Sequence, residues 1–85
     1  MTQAQRNGKK LTELRGDLKQ EYIAKVLNIS TSTISMYESG KRTPRDEIKK
    51  AFAKYYGTTV EKLFYEKRGY FFKTKYHIME YLLHP

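Results

Sequence analysis

The sequence predicts one small all-α domain carrying an aromatic C-terminal extension. Three observations predict it. Apolar residues recur at helical spacing in five short stretches between Leu11 and Phe64. Most of these stretches end at Gly or Asn: Gly16, Asn28, Gly40 and Gly57. Hydroxyl residues, Ser30, Thr43 and Thr59, stand where the third, fourth and fifth stretches begin.

Residues 1–8 read as a basic flexible arm, with Arg6, Lys9 and Lys10 supplying the charge. Leu11 and Leu14 mark a first helix over residues 9–15, ended by Gly16-Asp17, with Leu18 as an apolar plug between helices. Gln20–Leu27, QEYIAKVL, is the second helix, on which Ile23, Ala24 and Leu27 form a narrow apolar stripe. Ala24 is small enough for another helix to cross closely. Asn28 suits a left-handed turn, Ile29 points back into the core, and Ser30 is the N-cap of the next helix. The third helix, Thr31–Ser39, buries Ile34 and Tyr37. Its remaining positions are Thr31, Ser32, Thr33, Ser35 and Met36, where a solvated helix would normally carry Glu, Lys, Gln or Arg. Such a run of hydroxyls suits a face that packs closely against something else, or else marks a poorly optimised solvated helix.

Gly40 stops the third helix, and Lys41 and Arg42 follow in the loop. Thr43 as N-cap and Pro44 at the first helical position open a fourth helix, with Asp46 and Glu47 in its first turn. That helix runs to about Tyr56. Ile48, Phe52, Tyr55 and Tyr56 are its apolar stripe, and Lys49, Lys50 and Lys54 its wet face. After Gly57, Thr59 caps a short fifth helix, Val60–Phe64, whose Val60, Leu63 and Phe64 seal the core.

Residues 20–40 resemble the helix-turn-helix of the phage-repressor and Cro-like family of prokaryotic DNA-binding regulators. The residues that carry the resemblance are Gln20, Ala24, Leu27, Ile29, Ser30, Ile34, Tyr37 and Glu38, followed by SGKRTP; GTTVEKLF at 57–64 is similar too. It covers about Leu11 to Phe64. It implies a five-helix lambda-repressor-like domain over 9–64 that binds double-stranded operator DNA, with helix 31–39 in the major groove, and that acts as a transcriptional regulator, a repressor. Base contacts fall to Thr31, Ser32, Thr33, Ser35 and Met36, and phosphate contacts to Lys19, Gln20, Ser39, Lys41, Arg42 and Thr43. Gln20 matches the family position that bonds the DNA backbone and braces the recognition helix. Lys19 departs from the family pattern, which has Ser or Thr as N-cap there. The recognition helix also lacks Arg, Lys, Asn and Gln, so no bidentate Arg–guanine contact is available from 31–39. Direct readout is therefore modest, and DNA shape carries a share of specificity. Tyr22 either stacks on the sugar-phosphate or covers core.

Composition agrees with a polyanionic partner: 17 basic residues oppose 9 acidic ones, for a net charge of +8. Charge alone would equally suit an acidic membrane surface. No apolar run approaches a membrane span, and the polar and apolar faces of the tail are not separated enough for surface binding. The polar start, MTQAQRNGKK, carries no secretory pattern, and the expected location is cytoplasmic, with the nucleoid. Cysteine is absent, so no disulfide or thiol chemistry is expected. No catalytic constellation, cofactor motif or metal site is expected either; His77 and Glu80, three apart, make half a metal site at most.

Residues 65–85, YEKRGYFFKTKYHIMEYLLHP, read two ways. As a strand, Tyr70, Phe72, Thr74, Tyr76 and Ile78 share a face opposite Lys73, Lys75 and His77. As a helix, Phe72, Tyr76, Met79 and Leu83 form one stripe. The segment is too apolar to be left in water. It is expected to form a homodimer interface through Phe72, Tyr76, Met79 and Leu83, the alternative being packing on its own domain. A different use of the same fold is an antitoxin or adapter whose aromatic tail binds a partner protein.

Overall fold

The computed structural model describes residues 1–65. Five helices follow one another: α1 (Gln3–Arg15), α2 (Gln20–Leu27), α3 (Thr31–Ser39), α4 (Asp46–Tyr56) and the short α5 (Glu61–Tyr65), wound with the wider π-type spacing. No strand occurs among the described residues. The expected strand-or-helix alternatives for 65–85, the dimer stripe Phe72, Tyr76, Met79 and Leu83, and the His77–Glu80 pair lie, from residue 66 onward, outside the described residues.

The helices meet on one core of Leu11, Ile23, Ala24, Ile34, Tyr37, Phe52, Tyr56, Leu63 and Phe64. Phe52 is its centre. Its ring centroid lies 6.0 Å from Tyr37 edge-on, 6.1 Å from Tyr56 stacked, and 6.2 Å from Phe64. Those separations fall within the range where aromatic pairs add to simple burial. The core thus draws its rings from α3, α4 and α5, and fixes where α3 sits.

The expected flexible arm is instead the first two turns of α1. Thr2 and Gln5 form a reciprocal capping box: the Thr2 hydroxyl accepts from the Gln5 N–H at 3.1 Å, and the Gln5 side chain accepts from the Thr2 N–H at 2.8 Å. Asn7, Gly8 and Lys10 are buried there. Gly8 is what lets α1 lie against the end of α3. A Cβ at Gly8 would collide with the Glu38 carbonyl oxygen and lie 2.7 Å from that of Tyr37. On the other side of the same contact, Gly40 takes φ +77°, and a Cβ there would come within 2.7 Å of the Gln5 Cα.

Three further expectations need correction. Leu18 does not plug the core; it is 43% exposed, and its carbonyl rather than its side chain is used, accepting from the Arg15 guanidinium at 2.6 Å. The fourth helix does not begin at Pro44 with Thr43 as cap. Arg45 is its N-cap, without a side-chain cap bond, and Pro44 is buried in the preceding loop. Asp46 and Glu47 in the first turn offset that missing cap by facing the positive helix end. Finally, Lys49 is not on the wet face with Lys50 and Lys54. It is buried, with its Nζ donating to the Tyr65 hydroxyl at 2.8 Å and lying 4.8 Å from that ring's centroid. A long aliphatic stem and an aromatic roof let the charge stay paired at the core edge.

Two outcomes follow. Gly8→Ala should cost roughly 1–3 kcal/mol, since neither partner backbone can yield; a urea titration against the unaltered chain measures it. Burial pushes the Tyr56 phenol well above its ordinary value of 10, with the Glu38 charge adding to the shift. Its hydroxyl has no hydrogen-bond partner among the described residues. The folded state therefore holds this proton more tightly than the unfolded chain does. That contribution is complete below about pH 10 and falls as pH rises beyond it. Urea midpoints taken across the alkaline range should decline, and Tyr56→Phe should flatten part of that decline.

Candidate nucleic-acid interface

The α2–turn–α3 unit is fixed by three local devices. Asn28 adopts φ 57°, ψ 46°, and its N–H is shared between the carbonyls of Ala24 and Lys25. The Ile29 N–H then returns to the Ala24 carbonyl at 3.0 Å. The Ser30 hydroxyl accepts from the Thr33 N–H at 3.1 Å and caps α3. At the far end Gly40 turns the chain, and the N–H groups of Lys41 and Arg42 both reach the Met36 carbonyl, at 3.0 and 3.3 Å. The two cations are therefore held at a set position relative to α3.

The helix buries Ile34 and Tyr37 and turns Thr31, Ser32, Ser35 and Ser39 to solvent, with Thr33 and Met36 half-buried. Some of the hydroxyls are engaged at home. The Ser30 Oγ lies 2.6 Å from the Thr33 Oγ1 and 3.1 Å from the Ser32 Oγ, and the Ser39 Oγ donates to the Met36 carbonyl at 3.2 Å. Thr31, Ser32 and Ser35 are exposed on the outward side, Ser32 with its hydroxyl beside that of Ser30. Lys19, Lys41, Arg42 and Thr43 are exposed around the helix ends.

Glu38 is the only acidic residue of α3, and an anion on this face would repel a polyanion. It is turned inward and neutralised. The Arg15 Nε donates to its Oε2 at 2.7 Å and the Arg15 Nη2 to its Oε1 at 3.0 Å, a two-pronged ion pair in which the Glu38 side chain is 8% exposed. The Gln20 Nε2 donates to Oε1 as well, at 2.9 Å. Arg15's own hydrogen bonding to Glu38 holds its guanidinium above its ordinary pKa, against the opposing effect of burial. Gln20 accordingly braces α3 from α2, while Arg15 braces it from α1.

Two residues that shape the candidate site were not read from the sequence. Arg15 looked like the end of a helix, and its partner is 23 positions away. Arg45 looked like helix interior. It lines, with Ser30, Thr33, Arg42 and Thr43, a cleft of about 350 Å³ between the start of α3 and the α3–α4 loop. Two guanidiniums and three hydroxyls facing one cleft form a surface suited to an anionic group. The signal for Arg45 was present in its distance of three from Arg42 across Pro44.

Among the described residues no group of three His, Cys, Asp or Glu could hold a metal ion. None of the described helices is long and apolar enough to cross a membrane.

A family model described as helix-turn-helix matches residues 9–63. No curated protein and no solved structure matches the chain.

The bracing role of Arg15 is measurable. A double-mutant cycle with Arg15→Met and Glu38→Gln should show a coupling of about 0.5–3 kcal/mol in stability. Additive effects would mean that the pair does not hold α3.

Proposed function

The chain belongs to the helix-turn-helix family of DNA-binding regulators, and from that premise we propose that it is a sequence-specific double-stranded DNA-binding transcriptional repressor. The observation that carries this reading is the build of α3. Its outward face holds short hydroxyl side chains, its one carboxylate is drawn inward by Arg15 and Gln20, and cations stand at both of its flanks.

In the proposed complex α3 enters the major groove. Thr31, Ser32 and Ser35, with the half-buried Thr33 and Met36 at the edge, meet the bases. Hydroxyls can donate or accept at any base edge, and the Met36 and Thr methyl groups suit thymine methyls. Lys19, Lys41, Arg42, Ser39 and Thr43 lie along the phosphates, with Arg45 added from the cleft. Gln20 has one side-chain N–H committed to Glu38, so it both braces α3 and reaches the backbone with what remains. Affinity comes mainly from these phosphate contacts, and it falls with salt as condensed counterions compete. Two copies bind a two-fold site, joined through residues 65–85 and the stripe Phe72, Tyr76, Met79 and Leu83.

Selection from random duplex DNA at near-physiological salt tests this. An inverted repeat with half-sites about one helical turn apart is the expected product. A lone half-site would remove the dimer, and no enrichment would remove the operator. Two variants separate the roles. Lys41→Ala should weaken binding to all sequences and reduce the salt slope by about one, whereas Ser32→Ala should relax preference at one position, by roughly 1–3 kcal/mol. A change in preference alone from Lys41→Ala would contradict its assignment.

A further inference from the structure

Leu18, Tyr22 and Val26 recur at every fourth residue and are 43%, 51% and 43% exposed. On α2, Tyr22 and Val26 lie away from Ala24 and from α3, and Leu18 precedes α2. Tyr55 of α4 is exposed as well, at 37%. Leu18 and Tyr22 line one depression of about 410 Å³, with Lys25 at its rim. Val26 and Tyr55 line the next, of about 420 Å³, with Lys54 at its rim. Single exposed apolar residues need no explanation, but a continuous strip marks a surface that something covers.

The surroundings narrow what that is. The rim mixes Asp17 and Glu21 with Lys19, Lys25 and Lys54, so it selects neither an acidic nor a basic partner. A second copy would have to reach this face from free solution. The chain itself supplies a better occupant. Tyr65, the last residue of α5, is tied to Lys49 by the 2.8 Å bond, so α5 ends beside α4. Tyr55 is six residues further along that helix, on the order of 9 Å of rise. Residues 66–85 span several times that length in any conformation, at roughly 1.5–3.3 Å per residue. They carry apolar or aromatic side chains at 70–72, 76, 78–79 and 81–83. A tethered segment also meets the strip at millimolar effective concentration, far above a free partner.

We propose that the strip Leu18–Tyr22–Val26–Tyr55 is the seat of the chain's own residues 66–85. This stands whether or not the chain dimerises. Phe72, Tyr76, Met79 and Leu83, assigned above to a second copy, leave Tyr70, Phe71, Ile78, Tyr81 and Leu82 for the strip.

The chain has no cysteine, so Lys25→Cys gives a unique attachment point for a spin label on the rim, outside the proposed DNA contacts. In the full-length, uniformly nitrogen-15-labelled chain, the label should cause a loss of intensity in the amide signals of 66–85. Adding Val26→Asp or Tyr55→Ser should restore those signals while the dispersed signals of α1 and α3 stay in place. A sample mixing unlabelled-spin nitrogen-15 chain with spin-labelled nitrogen-14 chain separates the copies. Loss at least as strong there as within one copy would mean that a second copy supplies the segment, and would overturn the proposal. So would the absence of any loss in 66–85, which would leave the strip to a separate partner, or a loss that both strip variants leave unchanged.

Discussion

The carboxylate of Glu38 is the point at which three helices are held in register. It sits on α3 and accepts from Arg15 of the first helix and Gln20 of the second. The helix it belongs to is a poor one by intrinsic preference, since five of its nine residues are Thr or Ser. It has to be held from outside. Apolar burial of Ile34 and Tyr37 fixes its inner face, but such burial is non-directional and leaves rotation about its axis weakly specified. A charge-assisted, two-pronged bond is directional. It is also shielded, with the Glu38 side chain nearly buried, so salt that screens DNA contacts screens this pair far less.

What was legible in the sequence was mostly local. The ends of α2 and α3, the left-handed Asn28, the Ser30 cap and the Gly40 stop all depend on residues within one helical turn of each other, and each is found as expected. What escaped reading depended on distant partners. Lys49 looks solvated by spacing, and only the arrival of Tyr65 and Phe64 makes its burial tolerable. Leu18 looks like core by composition, yet its backbone is claimed by Arg15, which leaves the side chain outside. The first residues looked like an arm because they are polar. Their helix is justified by a capping box, which the motif Thr2-x-x-Gln5 did announce, and by a close approach to α3 that no local pattern encodes. At the site, the outward positions of α3 could be read from helical geometry alone, whereas Arg45 could be assigned to the cleft only once the loop was folded.

The distribution of cations divides into two kinds. Lys41 and Arg42 are exposed, with only their backbone N–H groups committed, to the Met36 carbonyl. Lys10 and Lys49 are buried and engaged by the last helix, Lys10 through the Lys62 carbonyl at 3.3 Å. The net charge of +8 therefore overstates what the surface around α3 has at its disposal. Part of it is structural.

The Gln3 side chain donates to the Phe64 carbonyl at 3.1 Å, and Lys10 to that of Lys62, so the first helix is fastened by the last turn. On a ribosome, where residues emerge in order, α1 to α4 must wait for Leu63 and Phe64 before the core can close. α3, weak in its own right, packs against α1 and α2, and α1 is in turn fastened by α5. The core is therefore completed by the residues of the described domain that are made last.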